Sequence, residues 1–208
     1  MVLKPSFYDL PPINRAHRRA ALGLDPLRPT GVVMFGGQGS QQMLRIAREL
    51  DGVQLLLMCG LNELLAEQCR RLRRSAKHAV VGFTDEVADV MRLADFFIGK
   101  PGPGALSEAV QLGLPVITIK NAWTMPQERY NAQWVREQGV GIVLKSARSI
   151  RAGVDELLGR LPELRARAQR IDNRAVFELP GILASLLDAA AAPGPADESW
   201  FAADRVEA

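Results

Sequence analysis

Six short apolar runs recur along the chain, each closed by glycine, proline or charge and each followed by apolar residues at helical spacing. The runs are GVVMF (31–35), VQLLLMCG (53–60), HAVVGF (78–83), DFFIG (95–99), PVITI (115–119) and VGIVL (140–144). Continuous apolar runs of this length read as strands buried on both faces, the pattern of a parallel sheet covered by helices. Between them, 41–50 carries Met43, Leu44, Ala47 and Leu50 on one helical face, and 61–72 carries Leu61, Leu64, Leu65, Cys69 and Leu72. A helix over 85–94 is expected with Thr84 as its N-cap, and another over 105–112 once the preceding glycines and prolines end. A further helix is expected over 126–138. Beyond Ser146 the pattern is helical only, over 149–161, 162–171 and 175–189.

Alternation of this kind predicts an open, Rossmann-like α/β fold: a doubly wound, parallel six-stranded sheet with C-terminal helices. Residues 1–30 read as an entering linker, 31–190 as the domain, and 191–208 as a loosely ordered tail. In such sheets ligands sit beyond the carboxyl ends of the strands. The loops there are GGQGS, CGLN, GFTDE, GKPGPG and KNAWTMPQE, four of them rich in glycine or small polar residues, whereas the opposite rim carries ordinary charged turns.

Composition narrows the function. Of 208 residues, 48% are hydrophobic and 24% charged, an ordinary globular balance. The length suffices for a substantial core. The net charge of +3 suits small anionic ligands but is too weak to argue for nucleic acid. No run approaches the roughly 20 apolar residues of a membrane span, and no signal-peptide pattern opens the chain, so a cytoplasmic location is expected. Cys59 and Cys69 read as reduced core residues, and no histidine stands at metal spacing. His17, in NRAHRRA, and His78, at a strand start, are poorly placed as general bases, and Arg70 to Arg74 reads as a solvated helix end.

Four stretches carry candidate chemistry. In GGQGS, Gly36, Gly37 and Gly39 let the backbone approach a ligand, and Ser40 can cap a helix or meet a phosphate oxygen; a plain tight turn reads equally well. The spacing is neither GxGxxG nor a P-loop. In GKPGPGALSE, Gly102, Gly104 and Ala105 present backbone N–H groups at a helix start, where the dipole favours an anion by roughly 0.3–1 kcal/mol. Glu108, expected in the first turn, suits a pair of sugar hydroxyls, or is simply placed well for the dipole. Gln127, Glu128 and Asn131 form a polar cluster able to read hydroxyls, or a solvated helix start. Phe83, after Gly82, offers backbone groups and an aromatic face to a planar base, or fills the core.

Taken together, these stretches resemble the C-terminal, donor-binding domain of GT-B glycosyltransferases of the family 28 type, such as monogalactosyldiacylglycerol synthases and the N-acetylglucosaminyltransferase of lipid II synthesis. KPGPGALSEAVQLGLPVI followed by PQERYN is the most specific part, similar to the family's K-x-G-P-G-[TS]-[IL]-x-E-A…G-[LK]-P and Q-E-x-x-N motifs; Ala105 stands where Thr or Ser is usual. The resemblance implies a UDP-sugar substrate, with GGQGS and the Gly102, Pro103, Gly104 and Ala105 turn at its diphosphate and Lys100 among the donor-binding residues. It implies Phe83 at uracil, Glu108 at the ribose hydroxyls, and Gln127, Glu128 and Asn131 at the sugar or diphosphate. No metal or other cofactor is implied, since backbone N–H groups and a helix dipole can stabilise the leaving diphosphate.

The function so implied is the donor-binding half of an inverting hexosyltransferase acting on a lipid-type acceptor, peripheral at the inner face of a membrane. The base and acceptor site are expected on an N-terminal domain or separate subunit, without which the chain binds donor and transfers nothing. The chain is therefore expected to be either an excised C-terminal domain or the donor subunit of a split transferase. A non-catalytic nucleotide-sugar-binding regulatory module is the alternative, and a UDP-sugar 2-epimerase a further one that would need acidic residues and a histidine at the cleft.

Overall fold

The computed structural model describes residues 1–122 and 124–191. Of the tail expected over 191–208, all but Ala191 lies outside them. The chain divides into two compact units, Met1–Asn173 and Arg174–Ala208.

The first unit is built on six parallel strands: β1 (Thr30–Met34), β2 (Gln54–Gly60), β3 (His78–Gly82), β4 (Phe96–Gly99), β5 (Val116–Ile119) and β6 (Gly141–Leu144). Their order across the sheet is β3-β2-β1-β4-β5-β6. All pairings are parallel, with Met34 opposite Met58 on one side and Gly99 on the other. The chain therefore reverses its winding between β1 and β4, which fixes the position of the ligand crevice.

Each strand feeds two cores because successive side chains point to opposite faces. Val33, Leu55, Leu57, Phe96, Ile98 and Ile117 pack on one face. Against them lie α2 (Gln42–Glu49), α3 (Glu63–Arg70), α7 (Ile150–Gly159) and α8 (Leu161–Ala168). Val32, Met34, Leu56, Met58, Phe97 and Val116 pack on the other, against α4 (Val87–Met91), α5 (Pro103–Gln111) and α6 (Pro126–Gln138). The segment ahead of β1, which includes α1 (Arg15–Ala21), contributes Leu3, Phe7 and Leu24 to this second core. The sheet and its double helical cover are those expected from the alternation of patterns.

The local differences have physical causes. Helix α3 begins at Glu63, because Asn62 takes the N-cap and accepts from the Leu65 N–H at 2.9 Å. Leu65, Ala66 and Cys69 then form the buried face, leaving the expected stripe members Leu61 and Leu64 in solvent. Helix α4 is shorter than expected: Thr84 Oγ1 accepts from the Glu86 N–H in a turn outside the helix, and Glu86 takes the N-cap position. Helix α5 starts two residues earlier than expected, with Gly102 as N-cap and Pro103 at its first position, where proline's fixed φ suits a helix. Arg74, expected in solvent, and Arg19 are both engaged by backbone. Arg19 is 5% exposed and donates to the Leu93, Pro26 and Arg28 carbonyls. Arg74 donates to the carbonyls of Ala47 in the last turn of α2 and of Leu50 and Val53 just beyond it.

The second unit contains α9 (Ala175–Ala191), which leaves Phe177, Ile182, Leu186 and Leu187 exposed and holds Pro180 inside the helix.

Candidate functional site

The loops after β1 and β4 emerge side by side at the switch point, since Met34 and Gly99 are register partners. The β1 loop turns on Gly36 and Gly39, both at positive φ, a conformation that favours glycine. It is pinned from the β2 side: Leu61 N–H donates to Gly37 O at 2.8 Å, and Asn62 Nδ2 to Gln38 O at 3.2 Å. Ser40 Oγ accepts from the Gln42 N–H at 3.2 Å at the entry to α2. The β4 loop delivers α5, whose early N–H groups at Gly104 and Ala105 fall among those an α-helix cannot pair internally.

Two clefts open on this rim. One, of about 280 Å³, lies between the β1, β2 and β3 ends and α5, with Gly36, Gly37, Gly60, Phe83, Ala105 and Glu108 among its walls. Phe83 is 62% exposed there, so it is not core filler. Glu108 lies in the second turn of α5, not the first, because the helix starts at Pro103. Burial pushes its carboxyl above the usual range, an effect that the charge of Lys4 partly opposes. The other cleft, of about 450 Å³, lies on the β5 side, with Ser40, Lys100, Asn121, Thr124, Met125 and Glu128 among its walls.

The predicted residues thus gather in two groups on one rim, with some outside both. Lys100 Nζ meets Glu128 Oε1 at 3.0 Å, and a Cβ built on Gly102 would come within 3.2 Å of Lys100 Cε and 3.5 Å of Glu128 Oε1. Pro103 and Asn131 line a separate groove on the far side of α5, and Asn131 Nδ2 donates to Pro101 O at 2.9 Å. Gln127 is exposed, its amide within 3.7 Å of Met125 Sδ. Sequence reasoning did not single out Asn121, Thr124 and Met125. Their signal was the unusual strand-end loop KNAWTMPQE, and Thr124 Oγ1 holds that loop by accepting from the Asn121 N–H at 2.9 Å. His17 is exposed on α1, and His78 Nε2 lies 3.0 Å from Cys69 O at the start of β3, both away from this rim. Among the described residues, no cluster of three or more His, Cys, Asp or Glu side chains could hold a metal ion.

The family profile described as Glycosyltransferase family 28 C-terminal domain matches residues 32–179, which include both clefts and all of the sheet beyond Gly31. The chain belongs to that family. Relatives of this glycosyltransferase domain include the monogalactosyldiacylglycerol synthase of Spinacia oleracea, 32% identical over 76% of the chain. The processive diacylglycerol beta-glucosyltransferase of Bacillus subtilis is 30% identical over 75% of it. A UDP-N-acetylglucosamine–N-acetylmuramyl-(pentapeptide) pyrophosphoryl-undecaprenol N-acetylglucosamine transferase of Nocardioides is 31% identical over 76%. The chain spans 32%, 41% and 44% of the lengths of these three proteins. The fold is also that of Acinetobacter baumannii MurG, with a TM-score of 0.62 at 16% identity over 84% of this chain and 54% of that one. Os79 from O. sativa, solved in complex with UDP, aligns with a TM-score of 0.55 at 17% identity over 73% of this chain and 37% of its own. The family 28 domain therefore has relatives named for transfer to lipid acceptors, and its sheet is that of GT-B transferases.

Proposed function

We propose that this family 28 domain binds a UDP-hexose and presents it for inverting transfer to a lipid-type acceptor. The observation that carries the reading is the convergence of the α5 N-terminus, the glycine turn after β1 and the Glu108 carboxylate on the crevice between β1 and β4. Diphosphate chemistry suits the first two: backbone N–H groups at Gly104 and Ala105 and the positive end of the helix dipole are fixed before charge develops on the departing phosphate. A ribose diol suits the third, because an ionised carboxylate accepts two hydrogen bonds at once. Phe83 offers its exposed ring and adjacent backbone to the base, as the resemblance implies. Ser40, Lys100 and Glu128 then line the cleft on the diphosphate and hexose side, with Gln127 and Asn131 contributing at its edge or through the Gly-Pro loop.

In an inverting transfer an acceptor oxygen bonds to the anomeric carbon as UDP departs, and a base takes the acceptor's proton. The chain supplies the leaving-group side of that reaction. The acceptor site and the base belong to a second domain or subunit, consistent with the fraction of each relative that the chain spans. Alone, the chain binds donor without transferring it. No metal is required for this role, and the site would work at the cytoplasmic face of a membrane. No helix among the described residues is long and apolar enough to cross one.

Calorimetric titration with UDP, UDP-glucose, UDP-galactose and UDP-N-acetylglucosamine tests the reading, with Glu108→Ala beside the native chain. Saturable binding of UDP that weakens on that substitution supports it, and the order of sugars names the donor. No binding of any UDP compound, with or without a complementary acceptor domain, rejects it.

A further inference from the structure

At the amino ends of β4 and β5, on the rim opposite the donor crevice, a cavity of about 270 Å³ is lined by three arginines, Arg15, Arg92 and Arg165, together with Ala94, Gly113 and Gln169. We propose that this cavity is a second binding site, for a phosphate-type oxyanion carried by a small molecule or by a lipid headgroup.

Charge is unbalanced at this rim. Asp95 is the carboxylate at the head of β4, and both of its oxygens are taken. Oδ1 accepts from Arg15 Nη2 at 2.9 Å and Arg165 Nη2 at 3.2 Å, and Oδ2 from Arg19 Nη2 at 2.7 Å and the Thr30 N–H at 2.9 Å. Three guanidiniums therefore share one negative charge. Arg92 reaches Asp89 only at 3.4 Å, and Asp89 already accepts from Arg18 at 3.1 Å; the other Arg92 nitrogen donates to Pro11 O. Five guanidiniums thus stand against two carboxylates. The ends of α4 and α5 at this rim supply roughly half a negative charge each, which leaves an excess of about two positive charges.

The donor set is also incomplete. Arg165 engages Asp95 through Nη2 alone, and Arg92 meets Asp89 only at 3.4 Å. Planar guanidinium forks from three elements, α1, the turn after α4 and α8, converge on one space. That is the arrangement that recognises tetrahedral oxyanions through paired N–H donors. The lining holds three guanidiniums and neither a carboxylate nor an aromatic ring, which suits a phosphate group better than a nucleoside. It is also separate from the donor crevice, since the two lie at opposite ends of the strands.

The test is a titration of the 208-residue chain with inorganic phosphate at constant ionic strength, followed by NMR at the Arg15 and Arg165 Nε–Hε and Gly113 N–H signals. The expected result is saturable shifts at those signals, with affinity at least tenfold weaker in both Arg165→Gln and Arg92→Gln. Each variant is first shown by its amide spectrum to be folded. Lys100→Gln, at the donor crevice, is expected to leave these shifts unchanged. Flotation with vesicles containing a phosphomonoester lipid, against neutral vesicles, distinguishes the sources: capture lost in Arg165→Gln assigns the ligand to a headgroup, and no capture beside retained phosphate shifts assigns it to a soluble molecule. Shifts confined to Gly102–Ala105, or shifts unaltered by both arginine substitutions, would overturn the proposal.

Discussion

Lys100 Nζ lies 3.0 Å from Glu128 Oε1, tying the loop after β4 to the first turn of α6. Glu128 is 9% exposed, whereas about half of the lysine side chain is in water. A second tie, from Asn131 Nδ2 to Pro101 O, joins the same two elements one helical turn on. Helix α6 thus sets the entry of the Gly-Pro loop, and with it the direction of the α5 N-terminus.

Removing the lysine alone leaves an enclosed carboxylate without its partner. Lys100→Met is expected to destabilise the fold by about 1–3 kcal/mol, toward the lower end because solvent reaches the pair. Adding Glu128→Gln should recover much of that loss, since the unpaired charge is then gone. Urea unfolding of the two single variants and the double variant measures the coupling. Additive losses would mean that the pair does not hold the loop.

Glu108 separates binding from stability. Burial raises its carboxyl, so the folded state favours the protonated form relative to the unfolded chain. The associated stability is present at acid pH and is lost as pH rises through the raised value. Glu108→Gln should therefore leave the fold as stable or more stable at neutral pH while weakening UDP binding tenfold or more. In the native chain UDP affinity should fall as pH drops through the raised value, because a diol needs the ionised acceptor, and the Gln variant should lack that step. Calorimetry across pH beside thermal unfolding checks both halves, and parallel losses of stability and affinity would contradict them.

The sheet was readable because strands buried on both faces leave continuous apolar runs, and the two faces divide the work residue by residue, as Val32 and Val33 do. The strand-end loops were readable for a related reason: glycines at Gly36 and Gly39 mark turns that other residues rarely make. Side-chain partnership across distance was not readable. Lys100 and Glu128 are 28 positions apart, and nothing local distinguishes a paired lysine from a solvated one. Arg74 misled for the same reason, because its acceptors are backbone carbonyls contributed by another segment. Leu61 and Leu64 misled differently: an N-cap at Asn62 set where the helix begins and so which of its faces is buried.

Gly60 illustrates how little freedom the donor rim has. Its φ is positive, and a Cβ there would run into the carbonyl and Cα of Gly37 in the β1 loop. Gly60→Ala therefore combines backbone strain of about 1–3 kcal/mol with displacement of the glycine turn. Gly37→Ala, where a Cβ meets nothing within 4 Å, is the contrasting variant in the same loop. The first should lower the melting temperature and weaken UDP binding together, and the second should leave melting nearly unchanged. Comparable melting of the two would show that the turn is not held as tightly as Gly60 and Gly37 imply.

Loss of the Asp95 carboxylate strands a charge that the fold cannot expose. Burial alone would raise its carboxyl, but the Thr30 N–H and the Arg19 and Arg15 guanidiniums outweigh it and hold the value below the usual range. The contribution is therefore present above the ordinary carboxylate range and is lost as pH falls through the lowered folded value. Arg19, 5% exposed, has Asp95 as its carboxylate partner. Asp95→Asn keeps the shape and one acceptor but removes the counter-charge, so a loss of about 3–5 kcal/mol at neutral pH is expected. The gap between native chain and variant should then narrow as pH is lowered, since a protonated aspartate and an asparagine leave Arg19 in the same state. Urea unfolding of both proteins across the acid range measures that gap. A gap that stays constant with pH would place the cost in packing or in the lost hydrogen bond instead of in the charge.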